Sequence, residues 1–436
     1  EMNSRGVGSG AAAGLPDPPL RVCLHGDVVR SSILLESTLC YLREMPADVP
    51  RLLSWAFHGR RYLDRRLAEL PNLDVSLLLY DDDHLRKLSS VRDAGRGIVL
   101  DAGQTPELGR RVAAHLGLFD EVTAADKGIT AKRMVRDAKT TAWNRDHVPA
   151  LLRAMRPHHW LKNLLLFVPI LAAHELDHPA ALFDVGLAFA AFCLCASAVY
   201  LANDLFDLAS DRIHPRKRLR PIASGRAPVV AVVMLVPFLA LASLALTLAL
   251  PAAFGAMLAC YLLVNMAYTM RIKQILGLDV IVLALLYALR IGAGAAAAAM
   301  TPSYWLLAFS MFLFLSLALL KRFAELRELD VLEDSNLHGR DYRGSDVSAL
   351  LSLGGASGYI SVLVLVLYIN GDAITLLYGK PQFIWLLCPL LMFWITRMWL
   401  IAQRGELRED PLFFAVCDKP SLMVALASLV TILFAI

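Results

Sequence analysis

The sequence predicts a multi-domain chain: an all-α polytopic membrane domain preceded by a soluble α/β domain. Three observations carry this expectation. The chain of 436 residues is 57% hydrophobic and 19% charged, with mean hydropathy +0.53, whereas a soluble globular chain is nearer half apolar and a quarter charged. The charge is uneven, dense in residues 1–150 and sparse afterwards, where apolar blocks alternate with short basic loops. From residue 159 onward, apolar stretches of spanning length recur. Such a composition excludes a disordered chain. The net charge of only +4 gives no global footprint for nucleic acid. The seven cysteines are scattered, mostly in apolar runs and without a CxxC pair. They read as small buried hydrophobes rather than zinc ligands or a disulfide framework.

In chain order, residues 1–19 are polar and Gly/Ala-rich and read as a flexible leader with no visible signal peptide. Residues 20–140 alternate short apolar runs with helical stretches. Leu20–Leu24 and residues 97–100 read as strands, and Val75–Tyr80 as a third strand or a helix piece. Helices are expected near 31–45, 50–70, 84–94 and 106–117. Strands alternating with helices imply a parallel sheet. Residues 141–158 mix charge with apolar positions and read as a linker helix at the membrane surface. The membrane domain, 159–436, is expected to hold nine spans. They lie near 160–174, 181–203, 229–249, 252–269, 277–297, 303–320, 348–369, 382–401 and 420–436. The ten-residue alternation of a closed barrel is missing, so these are helices. Nearly all loop cations follow the second, fourth, sixth and eighth spans; the opposite loops hold only Lys380. The positive-inside rule puts the basic loops and the soluble domain in the cytoplasm. The protein is therefore expected in the cell (inner) membrane, and an odd number of spans puts the C-terminus outside.

The strongest chemical signal is Asn203-Asp204-Leu-Phe-Asp207-Leu-Ala-Ser-Asp211. Its acids fall at i, i+3 and i+7, one face of a helix, directly after an apolar span. Three carboxylates on one stripe repel unless a cation lies between them. Mg²⁺ is the natural candidate, because it takes oxygen ligands and shares them with substrate phosphates. A solvated polar helix end would show acids but not this setting, since ionisable groups at membrane depth are functional by default. The run Arg212 to Gly225 adds Arg216, Lys217, Arg218 and Arg220 beside the acids. Carboxylate-bound metal with Arg and Lys is how a site holds a diphosphate. The same cations also suit a topology signal at anionic lipid heads. Arg290, mid-span, either faces a wet cavity or pairs with an acid such as Asp279.

With NDxxDxxxD after the second span, residues 153–436 resemble the UbiA superfamily of intramembrane prenyltransferases, a fold of nine helices. Closer segments resemble its decaprenyl-phosphate phosphoribosyltransferase branch. They are Met155-Arg-Pro-His-His-Trp-Leu-Lys162-Asn163, Tyr268-Thr-Met-Arg271-Ile-Lys273, Arg290-Ile-Gly292-Ala-Gly294, Lys321-Arg322-Phe-Ala-Glu325, and the loop from Arg404 through Asp410 to Asp418. Aromatic prenyltransferases carry a second acidic motif where this chain reads Lys321-Arg322-Phe-Ala-Glu325. One acidic motif and more cations suit a donor with more phosphate, 5-phosphoribosyl 1-diphosphate (PRPP). The resemblance implies Mg²⁺-dependent transfer of 5-phosphoribosyl from PRPP to a polyprenyl phosphate in the membrane. It implies Asn203, Asp204, Asp207 and Asp211 as metal ligands, and Asp204, Asp207, Lys321, Arg322 and Glu325 as catalytic. Substrate contacts would fall to Lys162, Tyr200, Asp211, Arg216, Tyr268, Arg271, Lys273 and Arg290, with no nucleic-acid partner; homo-oligomer formation is left open. The alternative is a prenyltransferase using prenyl diphosphate, with Asp330 and Asp334 as a shifted second motif. A transporter would need acids near mid-membrane and inverted repeats, which are absent from the sequence.

The order of elements in 20–140 resembles a haloacid-dehalogenase (HAD)-type phosphatase domain, best over Gly95–Asp101 and His115–Val122. Such phosphatases need DxDGT after the first strand, a nucleophile and an acid/base. Here Cys23 and His25 stand at the two Asp positions and Asp27 comes two residues late, with Lys132 matching the phosphate lysine. The resemblance therefore implies a catalytically inactive domain.

Overall fold

The computed structural model describes residues 18–68, 73–103, 105–124, 147–331, 341–371, 374, 377–407 and 410–436. The leader before residue 18, Lys132, residues 141–146, Asp334, Arg340 and Arg408 lie outside the described residues. The chain divides into two compact units, Glu1–Met155 with Ala198–Pro237, and Arg156–Ser197 with Phe238–Ile436.

The first unit contains a small parallel sheet of β1 (Leu20–Cys23), β2 (Ile98–Asp101) and β3 (Glu121–Thr123), in that order. Leu20 lies opposite Ile98, and Val99 opposite Glu121. Ile98, Val99 and Leu100 are buried, as an unbroken apolar run in a central parallel strand must be. The unit also holds α1 (Ile33–Glu44), α2 (Val49–Phe57), α3 (Arg60–Ala68), α4 (Asp82–Asp93), α5 (Pro106–Leu116) and α6 (His147–Ala154), with α2 and α3 packed on α1 through Tyr41, Leu52 and Leu67. Val22, Leu24, Val28, Leu88, Leu108 and Val112 fill the core beside the strands. Of the two readings of Val75–Tyr80 the helix piece holds: Val75–Leu77 is a 3-10 turn opened by the Asp74 carboxylate, which accepts from Ser76 N, and the third strand lies at Glu121–Thr123. One expectation is corrected. The expected helix at 50–70 is two helices parted at His58–Gly59.

In chain order the remaining helices are α7 (Val168–Ala172), α8 (Pro179–Phe206), α9 (Leu208–Ile213), α10 (Val229–Leu248), α11 (Ala252–Met270) and α12 (Leu278–Ala297). They continue with α13 (Tyr304–Val331), α14 (Val347–Ile369), α15 (Leu387–Gln403), α16 (Pro411–Cys417) and α17 (Lys419–Ala435). Among the described residues, seven helical stretches are long and apolar enough to cross a membrane: α8, α10, α11, α12, α13, Gly344–Ile369 and Pro381–Gln403. Counting α16 with α17, bent by 82°, as one broken span gives up to eight. Nine were expected, so helix parity no longer places the C-terminus.

The missing span is the first. Pro157–Phe167 winds as 3-10 turns and α7 adds only five residues. Pro157 and Pro169 lack amide donors, and the backbone of this segment lies directly on α12. A Cβ at Gly294 would overlap the Leu166 carbonyl. Leu166 and Ile170 are thereby fully buried with Ala293 and Ala297.

Polarity in this part is inverted relative to a soluble protein. Ser197 and Ser361 are 0% exposed, whereas Met423 is 70% and Leu433 62% exposed. Serines inside satisfy their hydroxyls on helix carbonyls, as Ser316 does at 2.7 Å from Gly354 O. Large apolar side chains outside suit hydrocarbon, and small residues let helices approach. The chain is an integral membrane protein.

Candidate functional site

The acids lie in the first unit, at the end of the 28-residue α8. The helical path survives past its end: Asp207 N donates to Asn203 O at 2.9 Å, and Asp211 N to Asp207 O at 2.8 Å. Asp207 itself is non-helical (φ −89°, ψ 4°) and opens α9. That break divides the expected single face. Asp204 and Asp211 are buried and converge on one cation, Arg220, whose Nη1 donates to Asp204 Oδ1 at 3.2 Å and Asp211 Oδ2 at 2.6 Å. The Asp207 side chain is 54% exposed and lies 3.9 Å from Arg43. Half-buried Asn203 precedes it by one turn.

Arg220 reaches back because the chain reverses at His214, whose Nδ1 accepts from Arg216 N and Lys217 N, and then winds through Lys217–Leu219. Burial raises the Asp211 pKa, and the Arg220 guanidinium opposes that rise. Half-buried Tyr200 lies one turn before Asp204, and Arg216 is exposed.

The acid-bearing loop is fastened to the α/β part of the same unit. Arg212 donates through Nη1 and Nη2 to the two Glu36 carboxylate oxygens, at 2.8 and 2.7 Å, and through Nη1 to Leu77 O at 2.7 Å. Both side chains are nearly enclosed, 9% and 4% exposed. A bidentate guanidinium–carboxylate pair fixes direction as well as distance. Further along, Gly225 adopts φ +74° and a Cβ there would stand 2.8 Å from Leu79 Cδ1. Glu36 carries no local sequence signal, because its partner is 176 residues away.

The second unit gathers the other cations. Lys162 Nζ and Lys321 Nζ donate to the same oxygen, Asp410 Oδ2, at 2.6 and 3.2 Å. Burial alone would raise the Asp410 pKa; the two ammonium groups hold it down to about 2. Lys162 also lies 5.6 Å from the Tyr287 ring centre. A cavity of about 290 Å³ opens beside them, lined by His158, His159, Lys162, Asp410 and Phe413 among others. Asp410 was legible only as part of a matching loop; its role in pairing both lysines depends on folding.

Arg322 is 1% exposed and already engaged. It donates to Asp279 Oδ2 at 2.7 Å, to Glu325, and to the Tyr268 hydroxyl at 3.1 Å, while Tyr342 donates to Asp279 Oδ1 at 2.5 Å. Arg290, 6% exposed, does not pair with Asp279. It donates to Asn163 Oδ1 at 3.1 Å, Leu286 O at 2.8 Å and the Tyr261 hydroxyl at 2.8 Å. Arg271 at the end of α11 is exposed, and Lys273 in the following turn is half-buried.

Among the described residues no three His, Cys, Asp or Glu side chains form a ready-made metal cage. Mg²⁺ does not need one: it commonly takes one or two protein oxygens and completes its shell with phosphates and water. The donor chemistry fits. Asn203 and Asp207, one turn apart, offer an amide oxygen and an accessible carboxylate, whereas Asp204 and Asp211 are committed to Arg220.

The chain is thus a polytopic helical membrane protein with an acid cluster closing α8 and two lysines, Lys162 and Lys321, on one carboxylate. The UbiA prenyltransferase family matches residues 164–423, and the chain belongs to that family. It is 29% identical to the uncharacterized protein y4nM of Sinorhizobium fredii, over 92% of this chain and 88% of that one. It is 36% identical to the nodulation protein NoeC of Azorhizobium caulinodans, over 67% of this chain and 96% of that protein. It is 30% identical to a decaprenyl-phosphate phosphoribosyltransferase of Mycobacterium tuberculosis, over 65% of this chain and 93% of that protein.

Proposed function

We propose that the protein transfers 5-phosphoribosyl from PRPP to a decaprenyl-type polyprenyl phosphate at the cytoplasmic membrane face, releasing diphosphate. The relative of that name and the segments around Lys162, Tyr268, Arg290 and Lys321 support the reading. The observation that carries it is the pair of ammonium groups, Lys162 and Lys321, on the single Asp410 carboxylate. Two cations on one anion leave a net positive seat for a phosphoryl group. The place of a second acidic motif is taken by Lys321 and the enclosed Arg322, which suits a phosphate-rich donor.

In the reaction the ribose C1–O bond to diphosphate breaks and a lipid phosphate oxygen forms the new bond at C1. A phosphate monoester is ionised at neutral pH, so no side chain need remove a proton. Catalysis is then positioning and electrostatic stabilisation. Asn203 and Asp207 would hold Mg²⁺, which neutralises the departing diphosphate when bound. Asp204 and Asp211 aim Arg220; Lys162 and Lys321 take a phosphoryl group; Arg271, Lys273 and Arg216 add accessible positive charge. Arg322, Glu325, Tyr268 and Arg290 hold the surrounding helices in register. We read the α/β part as a HAD-like domain without phosphatase chemistry, because Cys23 and His25 stand where such an enzyme needs its two Asp; the Asp27 carboxylate accepts from Cys23 N at 3.1 Å.

Incubating the purified protein with labelled PRPP and decaprenyl phosphate, with Mg²⁺ or with EDTA, tests this. A labelled lipid formed only with Mg²⁺ is the expected result. Transfer from prenyl diphosphate to an aromatic acceptor, with none from PRPP, would replace this reading by the prenyltransferase one.

A further inference from the structure

A cleft of about 750 Å³ opens within the first unit. Its lining includes Arg30, Ser31, Asp81, Arg153, Ser224 and Arg226, and none of Cys23, His25, Asp27, Asn203, Asp204, Asp207 or Asp211. Its size falls in the range of small-molecule sites, about 300–1,000 Å³.

Three guanidinium groups reach it from three separate stretches of chain: Arg30 beyond β1, Arg153 on α6, and Arg226 in the loop after the acids. Guanidinium forks match phosphoryl oxygens in pairs and remain charged at any working pH. Among the described residues, Ser31 Oγ is buried without a hydrogen-bond partner. Such a group is rare in a folded protein and asks for one. Asp81, 3.7 Å from Arg30, and Asp82 add carboxylates to the same wall. Carboxylates repel a bare polyanion but accept from hydroxyl groups. Cations and acids in one cleft therefore fit a ligand carrying both a phosphoryl group and hydroxyls.

The cleft also connects to the acid cluster by hydrogen bonds. Arg226 Nε donates to Ser224 Oγ at 3.0 Å, and Ser224 Oγ donates to Arg220 O at 2.8 Å. Arg220 in turn bridges Asp204 and Asp211. A ligand drawing on Arg226 would bias how Arg220 is held, and coupling of this kind is reciprocal.

We propose that this cleft binds a phosphorylated sugar as an effector, separate from the acid cluster and coupled to it through Arg226, Ser224 and Arg220. The site stands whichever lipid reaction the protein catalyses. Calorimetric titration of the full chain in phosphatidylcholine nanodiscs with ribose 5-phosphate tests it. Saturable binding is expected, with no binding of ribose. The Arg30→Gln/Arg153→Gln double variant should weaken it at least about tenfold, one charge-assisted contact's worth, while Asp207→Asn leaves it intact. Arg153→Glu alone, at an exposed helix position, serves if the double variant does not fold. Amide exchange across residues 204–220 should slow on binding. Loss of binding in Asp207→Asn but not in the arginine variants would place the ligand at the acids and overturn the proposal. So would the absence of saturable binding at millimolar concentrations, or arginine variants that alter only attachment to anionic-lipid vesicles.

Discussion

Asp204 and Asp211 each meet Arg220, while the Asp207 carboxylate stands exposed within 3.9 Å of Arg43. Removal of these acids should therefore have different consequences. Asp207→Asn is expected to abolish turnover while barely moving the melting temperature. Asp204→Asn or Asp211→Asn should lower both, since each strips a charged hydrogen bond from a buried site, about 1.5–3 kcal/mol. Equal melting losses in all three would contradict the division. At Asp410, replacement by Asn leaves Lys162 and Lys321 close together with no anion between them. Asp410→Asn should raise the KM for the phosphate-bearing substrate more than it lowers kcat, and steady-state kinetics in both substrates would reveal the reverse.

Helix contacts set the next scale. Arg322 on α13 and Asp279 on α12 form an ion pair that is 1% and 0% exposed. Cutting one partner leaves a buried charge alone, so Arg322→Met should cost about 3–5 kcal/mol. Asp279→Asn should fall in the same direction, and the double variant Arg322→Met/Asp279→Leu should recover much of the loss. Unfolding midpoints in denaturant would check the cycle. Gly294 meets backbone rather than a movable side-chain tip. Gly294→Ala therefore forces the 157–172 segment off α12 and should lower the melting temperature; an unchanged value would remove the close-approach explanation for the lost span.

For the whole molecule, acid should destabilise the fold well before carboxylates protonate. Burial first, then the Lys162 charge, depress the His159 pKa from 6.5 to about 3. Between those values the unfolded chain binds a proton that the folded one refuses, so stability rises with pH across that window and falls on acidification. Asp410, held at about 2, adds stability that is complete above its ordinary range and is lost progressively as the pH falls from that range to about 2. A melting temperature declining from pH 7 to 5, with a shallower slope in His159→Gln, is the expected record.

Hydropathy and charge are local properties that need no partner to be read, so most of the apolar spans were legible in the sequence, whereas the grouping of residues 198–237 with the N-terminal part came only with folding. The sequence by itself also determined which loops carry acids and cations, and hence the family. Tertiary structure alone decided which of those charges are spent on each other. Arg322, expected as catalytic, and Arg290, expected at the substrate, lie enclosed in hydrogen bonds to Asp279 and Asn163, 43 and 127 residues away. The helix break at Asp207, the collapse of residues 157–172 onto Gly294, and the joining of two lysines by Asp410 likewise arise from contacts between distant segments. Periodicity records which face a residue occupies, whereas only folding determines what it meets there.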